Sequence, residues 1–192
     1  MLNYRLINTL NLSQETEWEH LVTSVLGDGV HPKRAHGFCL SREALRLCLG
    51  ERGTHLAISD LVLEKYSAVK GHPSLTISLS HTPEWGAVVI GEVKDFISVG
   101  IDIEPMGRIV KPAIQERISH PEDINLNPLS LWSLKEAAFK ALMNTGHFPT
   151  PVEFSSLKIS HGQWIHAPSQ IQGEWKLEEA HGLVVALAWI KI

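Results

Sequence analysis

The chain has 192 residues, enough for one compact domain or two small subdomains sharing a core. Hydrophobic residues make up 44% and charged residues 20%, the balance of an ordinary folded protein and far from a disordered one. A formal charge of −4 argues against a general nucleic-acid or membrane-surface binder, because either role favours a basic excess. No stretch approaches the roughly 20 apolar residues that span a bilayer. Met1-Leu2-Asn3-Tyr4-Arg5 lacks the basic start and apolar run of a secretory signal. Cys39 and Cys48 fall in one helix-like segment at a spacing that disfavours a mutual bridge, so they read as small core residues in a reducing compartment. No His-Glu-x-x-His pattern occurs among the eleven histidines. The expected location is cytoplasmic, with neither nucleic acid nor membrane as a partner.

In chain order, Glu15 to Leu26 predicts a helix with Trp18, Leu21, Val22 and Val25 on one face. A second helix is expected after Ser41 as N-cap, with Glu43 in its first turn and Gly50 as its stop. A short third helix is expected from Ile58 to Tyr66. The pattern then turns to period two. Leu75, Ile77 and Leu79 alternate with Thr76, Ser78 and Ser80, and Trp85–Ile90 and Ser98–Glu104 follow as strands. After Pro105 the chain is irregular, with a short helix near Ile114–Ile118. A clear helix runs from about Ser130 to Met143, between Pro128 and Gly146. The tail returns to strands at Leu157–Ile159, Trp175–Leu177 and Leu183–Ile190. The class is α+β, with helix followed by strands in each half, although no sequence repeat is detectable.

Three segments carry the chemistry. In Gly100-Ile101-Asp102-Ile103-Glu104, alternation on a strand sends Val99, Ile101 and Ile103 to a core and Asp102 and Glu104 to the other face. Two carboxylates about 7 Å apart repel each other unless a cation lies between them. Oxygen ligands of this kind suit magnesium, which typically takes one or two carboxylates plus water and substrate phosphates. Alone, the pair reads equally well as a solvated acidic face.

The second segment is the helix from Trp132 to Leu142, where Trp132, Lys135, Glu136, Phe139 and Lys140 share one stripe. Two aromatics with three charges suit a helix lining a polar cleft. Alone, Glu136 and Lys140 also read as a surface pair worth about 0.3–0.5 kcal/mol. The third segment, Ser78-Leu79-Ser80-His81-Thr82, ends a strand with hydroxyl and imidazole donors able to meet a phosphate. The Gly-x-Ser-x-Gly elbow is absent, so these serines read as donors rather than nucleophiles. Lys33-Arg34, Arg42 and Arg46 add cations, and arginine binds phosphate through a planar fork.

Taken together and in this order, the segments resemble the 4′-phosphopantetheinyl transferases, specifically the longer Sfp-type enzymes. The likeness lies in Ser78–Thr82, Gly100–Glu104 and Trp132–Ala141, and more weakly in Lys33-Arg34 and Glu43–Arg46. The resemblance implies a pseudo-dimer of two αβ halves, 1–98 and 99–192, which share one site. It implies a monomer that moves the 4′-phosphopantetheine arm of coenzyme A to a serine of an apo acyl or peptidyl carrier protein. The other product would be adenosine 3′,5′-bisphosphate. By the same resemblance, Asp102, Glu104 and Glu136 hold magnesium, and Glu136 also serves as the base. Lys135 and Lys140 hold the pyrophosphate, while Ser80, His81, Arg46 and Lys33 bind the adenosine-side phosphates. The family's Gly-Lys-Pro is Gly71-His72-Pro73 here, a departure at one coenzyme contact that leaves the metal ligands untouched. On residue chemistry alone, two other classes stay open: a different magnesium-dependent phosphoryl-transfer enzyme, and a non-catalytic module that binds coenzyme A or carrier proteins.

Overall fold

A computed structural model describes residues 2–12, 16–64, 67–146 and 152–192. Its strands are β1 (Asn3–Asn8), β2 (Leu63–Glu64), β3 (Ala68–Val69), β4 (Leu75–His81), β5 (Trp85–Glu92), β6 (Phe96–Pro105), β7 (Leu157–Ser160), β8 (Gln163–His166), β9 (Ile171–Ala180) and β10 (Leu183–Lys191). Its helices are α1 (Glu17–Leu26), α2 (Pro32–Glu51), α3 (Pro112–Ile118) and α4 (Pro128–Met143). Mixed helices and antiparallel sheets agree with the α+β expectation. No helix among the described residues is long and apolar enough to cross a membrane.

The strands form an antiparallel sheet in the order β1-β5-β4, another in the order β6-β10-β9-β8-β7, and a small β2-β3 ladder. In both larger sheets the first strand in sequence lies beside the last strand of that sheet, which then pairs with a strand made in between. The connectivity β1-β5-β4 therefore recurs as β6-β10-β9. Period-two patterning explains how these strands serve two cores at once. Val88 and Ile90 of β5 pack under α1 and α2 with Trp18, Phe38, Leu45 and Leu49. Ala87 and Val89 face the other way, into a core shared with Ile101 and Ile103 of β6 and Val185 and Leu187 of β10. Each fully buried isoleucine there contributes about 1.5–3 kcal/mol. A third core lies between α4 and the later strands, around Leu134, Ala138, Ile159 and Trp164.

Several elements depart from the expected ones. α1 begins at Glu17, and Glu15 lies outside the described residues. Trp18, Leu21 and Val22 are buried as expected, but Val25 is exposed. α2 starts at Pro32 rather than after Ser41, because His31 caps it through the Lys33 amide and Pro32 occupies the first turn. Ser41 is internal, with its hydroxyl turned back onto the Phe38 carbonyl at 3.0 Å. Instead of a third helix, residues 58–60 make one 3-10 turn that buries Ile58, and the chain then pairs β2 with β3. Tyr66 lies outside the described residues. The division expected between 98 and 99 falls inside β6.

No backbone ladder joins β4 to β6 among the described residues. Side chains bridge them instead. Ser78 Oγ accepts from the Ile101 amide at 3.2 Å, and Ser80 Oγ accepts from the Ile103 amide at 3.3 Å. Both contacts advance in the same direction, so the strands run parallel. Asn144, just past α4, donates to the Ile77 carbonyl at 3.3 Å and the Val99 carbonyl at 3.0 Å.

Two glycines let the helices sit close on this seam. A Cβ on Gly86 of β5 would lie 2.3 Å from the Leu40 oxygen of α2. On Gly100 of β6 it would lie 2.0 Å from the Ala137 oxygen of α4. Gly100→Ala is therefore expected to cost about 1–3 kcal/mol by overpacking. Gly107→Ala, where a Cβ meets nothing within 4 Å, should be near neutral. Urea unfolding of the two variants checks the contrast.

Candidate active site at the strand seam

Asp102 and Glu104 leave the same face of β6 and are both buried, at 5% and 8% exposure. Asp102 Oδ1 accepts from Ser80 Oγ and from Lys140 Nζ, each at 3.0 Å, and Lys140 also donates to the Ile101 carbonyl at 2.9 Å. Its Oδ2 is buried and has no hydrogen-bond partner. Glu104 Oε1 accepts from Trp132 Nε1 at 2.9 Å and pairs with Arg108, whose guanidinium lies 5.1 Å from the Trp132 ring centre. The two acids thus have different counter-cations, one from α4 and one from the loop after β6.

Glu136 stands on α4 within the field of both acids. Desolvation pushes its carboxyl above the ordinary carboxylate range. Asp102 adds to the rise, Lys140 opposes it, Glu104 adds again, and Arg108 opposes. Three carboxylates whose charges act on one another, one with an orphaned buried oxygen, form a donor set that suits a hard cation. Among the described residues, however, no group of three His, Cys, Asp or Glu side chains is gathered closely enough to hold a metal by itself. A magnesium ion that takes one or two carboxylates and completes its shell with water and phosphate fits these residues; a closed protein cage does not.

Two cavities open beside the acids. One, of about 290 Å³, is lined by Arg34, Phe38, Arg42, Ser80, His81 and Lys140, with no acid among the described residues in its wall. Arg42 stacks 3.4 Å from the Phe38 ring centre, and its buried Nε has no hydrogen-bond partner. Burial pulls its pKa down to about 10, which still leaves it charged at neutral pH. The other cavity, about 880 Å³, is lined by Lys33, His36, His81, Thr82, Glu104 and Arg108. His81 forms part of both walls. Its ring packs against α2 at Gly37, where a Cβ would come within 2.3 Å of it. Desolvation, then Lys140, holds its pKa below the ordinary histidine value, so at neutral pH it is an uncharged donor or acceptor.

The structure therefore brings Ser80, His81, Asp102, Glu104, Glu136 and Lys140 together, with Lys33 on the rim of the larger cavity. Two expected ligand-binding residues do not face it. Lys135 is fully buried on the far side of α4, paired with Asp123 Oδ2 at 2.7 Å and bonded to the Ile118 carbonyl at 2.6 Å. Asp123 is itself fixed by the His120 and Ile159 amides. A lysine held this way braces the segment before α4 and cannot also reach a phosphate. Arg46 forks onto the buried Glu43 with two 2.7 Å contacts and lines a separate cavity with Arg5, Glu51 and His55. Arg42, one turn earlier on α2, lines the seam cavity instead. Ser80 spends its hydroxyl on Asp102 and β6, so it orients the acid. His72 sits in the turn before β4, at the opposite end of that strand from His81.

The sequence marks Arg34 and Arg42 only as members of a cation group able to clamp a phosphate, and it gives no signal for Arg108, Asp123 or Asn144. Arg42 had a signal, its i,i+4 relation to Arg46, but periodicity does not say which of the two faces the strands. Arg108 lies four residues past Glu104 in an irregular stretch where no period applies.

Residues 98–188, from within β6 to within β10, match the family model described as the 4′-phosphopantetheinyl transferase superfamily. No curated protein matches the chain.

The Lys135–Asp123 pair predicts that Lys135→Met, which leaves a buried carboxylate without its cation, lowers stability by about 3–5 kcal/mol. Urea denaturation measures this loss, and a change below about 1 kcal/mol would show that the pair is not structural.

Proposed function

Taking residues 98–188 as a 4′-phosphopantetheinyl transferase superfamily domain, we propose that the protein moves the phosphopantetheine arm of coenzyme A to a serine of an apo carrier protein. The observation that carries this reading is Glu136 and Lys140, one helical turn apart and beside the buried Asp102, with His81 close to Lys140 and Asp102 and in the walls of both a cation-lined cavity and an open cleft. Such a layout gives a phosphorylated donor and a protein hydroxyl separate approaches to one centre. The recurring connectivity of the two larger sheets supports reading the chain as two αβ halves with the site at their junction.

In this reading the smaller cavity takes the terminal phosphate of the coenzyme on Arg34, Arg42 and His81. Arginine suits that task because its planar fork meets phosphate oxygens in pairs. Lys140, already between Asp102 and the cavity, neutralises the pyrophosphate. Asp102 and Glu104, with Glu136 beside them, would hold magnesium, which when bound screens the charge that develops on the leaving phosphate. Glu136 accepts the proton of the carrier serine as its oxygen bonds to the pantetheine-side phosphorus. The bond from that phosphorus to the bridging oxygen breaks, and adenosine 3′,5′-bisphosphate leaves. Positioning and charge neutralisation dominate transfers of this type, which matches a site of cations and fixed acids without a protein nucleophile.

A base with a raised pKa has a definite pH signature. Glu136 accepts a proton only when ionised, so Glu136→Gln should remove most activity, and the raised pKa itself is to be read in the metal-free protein. The same shift has a stability sign. The folded state holds the Glu136 proton more tightly than the unfolded state, so ionised Glu136 destabilises the fold above its folded pKa, and the penalty vanishes as pH falls below the unfolded value. Glu136→Gln should therefore melt higher than wild type at about pH 8, with the difference closing toward about pH 4.

The direct test incubates the protein with magnesium, coenzyme A and a panel of apo carrier proteins, and weighs each carrier by mass spectrometry. The expected result is the mass of the phosphopantetheine arm on at least one carrier, and a loss of more than about 100-fold in rate for Asp102→Ala. No mass gain on any carrier, with nucleotide released in the carriers' absence, would assign the site to a different phosphoryl-transfer reaction.

A further inference from the structure

The two buried acids are neutralised differently, and the difference has a consequence for cation binding. Lys140 on Asp102 is also held by the Ile101 carbonyl at 2.9 Å, so backbone fixes it in place. Arg108 on Glu104 sits in the loop between β6 and α3, with its side chain 39% exposed against 11% for Glu104. Its guanidinium meets the Glu104 carboxylate and the face of Trp132. The Trp132 indole donates to the same Glu104 oxygen, so the carboxylate stays oriented if Arg108 leaves. Arg108 also has a small lowering influence on the Glu136 carboxyl, the least of the charges acting on it. A divalent ion on Glu104 and a guanidinium on Glu104 would repel each other across a few ångströms.

We propose that Arg108 is an internal counter-cation that competes with a divalent metal ion for Glu104 and so sets the cation affinity of the acid pair. This rests on the magnesium reading given above. When the ion binds, Arg108 turns from Glu104 into the large cleft whose wall it already forms. There its planar fork becomes available to a phosphate oxygen. Cation loading then exposes a phosphate-binding group, and an empty site stays neutralised without a metal. Arg108 is a positioning residue in this scheme, because it acts through Glu104.

The test uses the full chain without coenzyme or carrier, and manganese as the probe ion, with free Mn2+ read by electron paramagnetic resonance. Arg108→Gln removes the competing charge, and its manganese affinity should rise about tenfold over wild type. Arg108→Lys keeps the charge and should bind manganese close to the wild-type affinity. A merely structural role would give the opposite sign, since a loosened site binds the ion less tightly. Hydrogen exchange of the segment 105–111 supplies a second readout: manganese should speed it in wild type and leave it unchanged in Arg108→Gln. Manganese binding with equal or weaker affinity in Arg108→Gln overturns this proposal and leaves the magnesium reading standing. Failure of wild type and both variants to bind manganese also overturns this proposal, whereas the magnesium reading, in which phosphate completes the shell, falls only if manganese fails to bind with coenzyme A present as well.

Discussion

The site depends on how β4 and β6 are joined. A continuous sheet would have linked these strands through their peptide groups and left their side chains free. Here the link is made by the hydroxyls of Ser78 and Ser80 and the amide of Asn144. Side chains that bridge strands cannot be exchanged without leaving buried amides and carbonyls unsatisfied, at about 1–3 kcal/mol each. Ser80 also holds Asp102 through the same hydroxyl, so the bond that closes the seam aims the acid. Structural and chemical demands therefore fall on one small set of groups. The helices serve the same junction. α2 reaches it over Gly86 and α4 over Gly100, where a side chain would meet the helix backbone.

The electrostatics follow from this closeness. Asp102, Glu104 and Glu136 would repel one another strongly in a buried seam. The fold answers with cations of graded mobility: Lys140 anchored to backbone, Arg108 on a loop, and Arg42 stacked on Phe38 with a buried nitrogen unpartnered. Among the described residues, that last cation has no carboxylate in its cavity wall. Arg42 Nε and Asp102 Oδ2 are thus buried polar atoms without a hydrogen-bond partner, although each group has a partner at another atom or face. Such orphans are costly in a static fold. A ligand that brings both phosphate oxygens and a cation would satisfy the two together.

Much of this arrangement was legible in the sequence because strand and helix periods decide which side chains share a face. The alternation in β6 separated Ile101 and Ile103 from Asp102 and Glu104, and the structure keeps that separation. The stripe on α4 was legible too, but its width was not. A stripe spanning Trp132 to Lys140 covers enough of the helix that Lys135 at one margin turns into the protein while Glu136 and Lys140 turn toward β6. The choice between Arg42 and Arg46 was set by which of them found a buried partner. Glu43, three residues before Arg46, captured it. The start of α2 was hidden because Gly37 reads as a helix breaker, whereas its missing side chain is what admits the His81 ring. β1 and β8 were missed because short strands with mixed polarity carry little period; in β1 only Ile7 is buried.

The Lys135-Glu136 dipeptide shows why a motif's residues need not share a task. On a helix, neighbours in sequence point about 100° apart, so adjacent charges seldom serve one ligand. Lys135 ties α4 to Asp123 and, through the His120 and Ile159 amides, to the segment before the helix and to β7. That brace fixes the rotation of α4 about its axis. Rotation decides whether Glu136 meets Asp102 or solvent, and whether Lys140 reaches the Ile101 carbonyl. A buried ion pair gives little net stability but has one geometry in which both charges are satisfied. In this chain the lysine accordingly pins the rotation of α4, and with it the direction in which the glutamate beside it points.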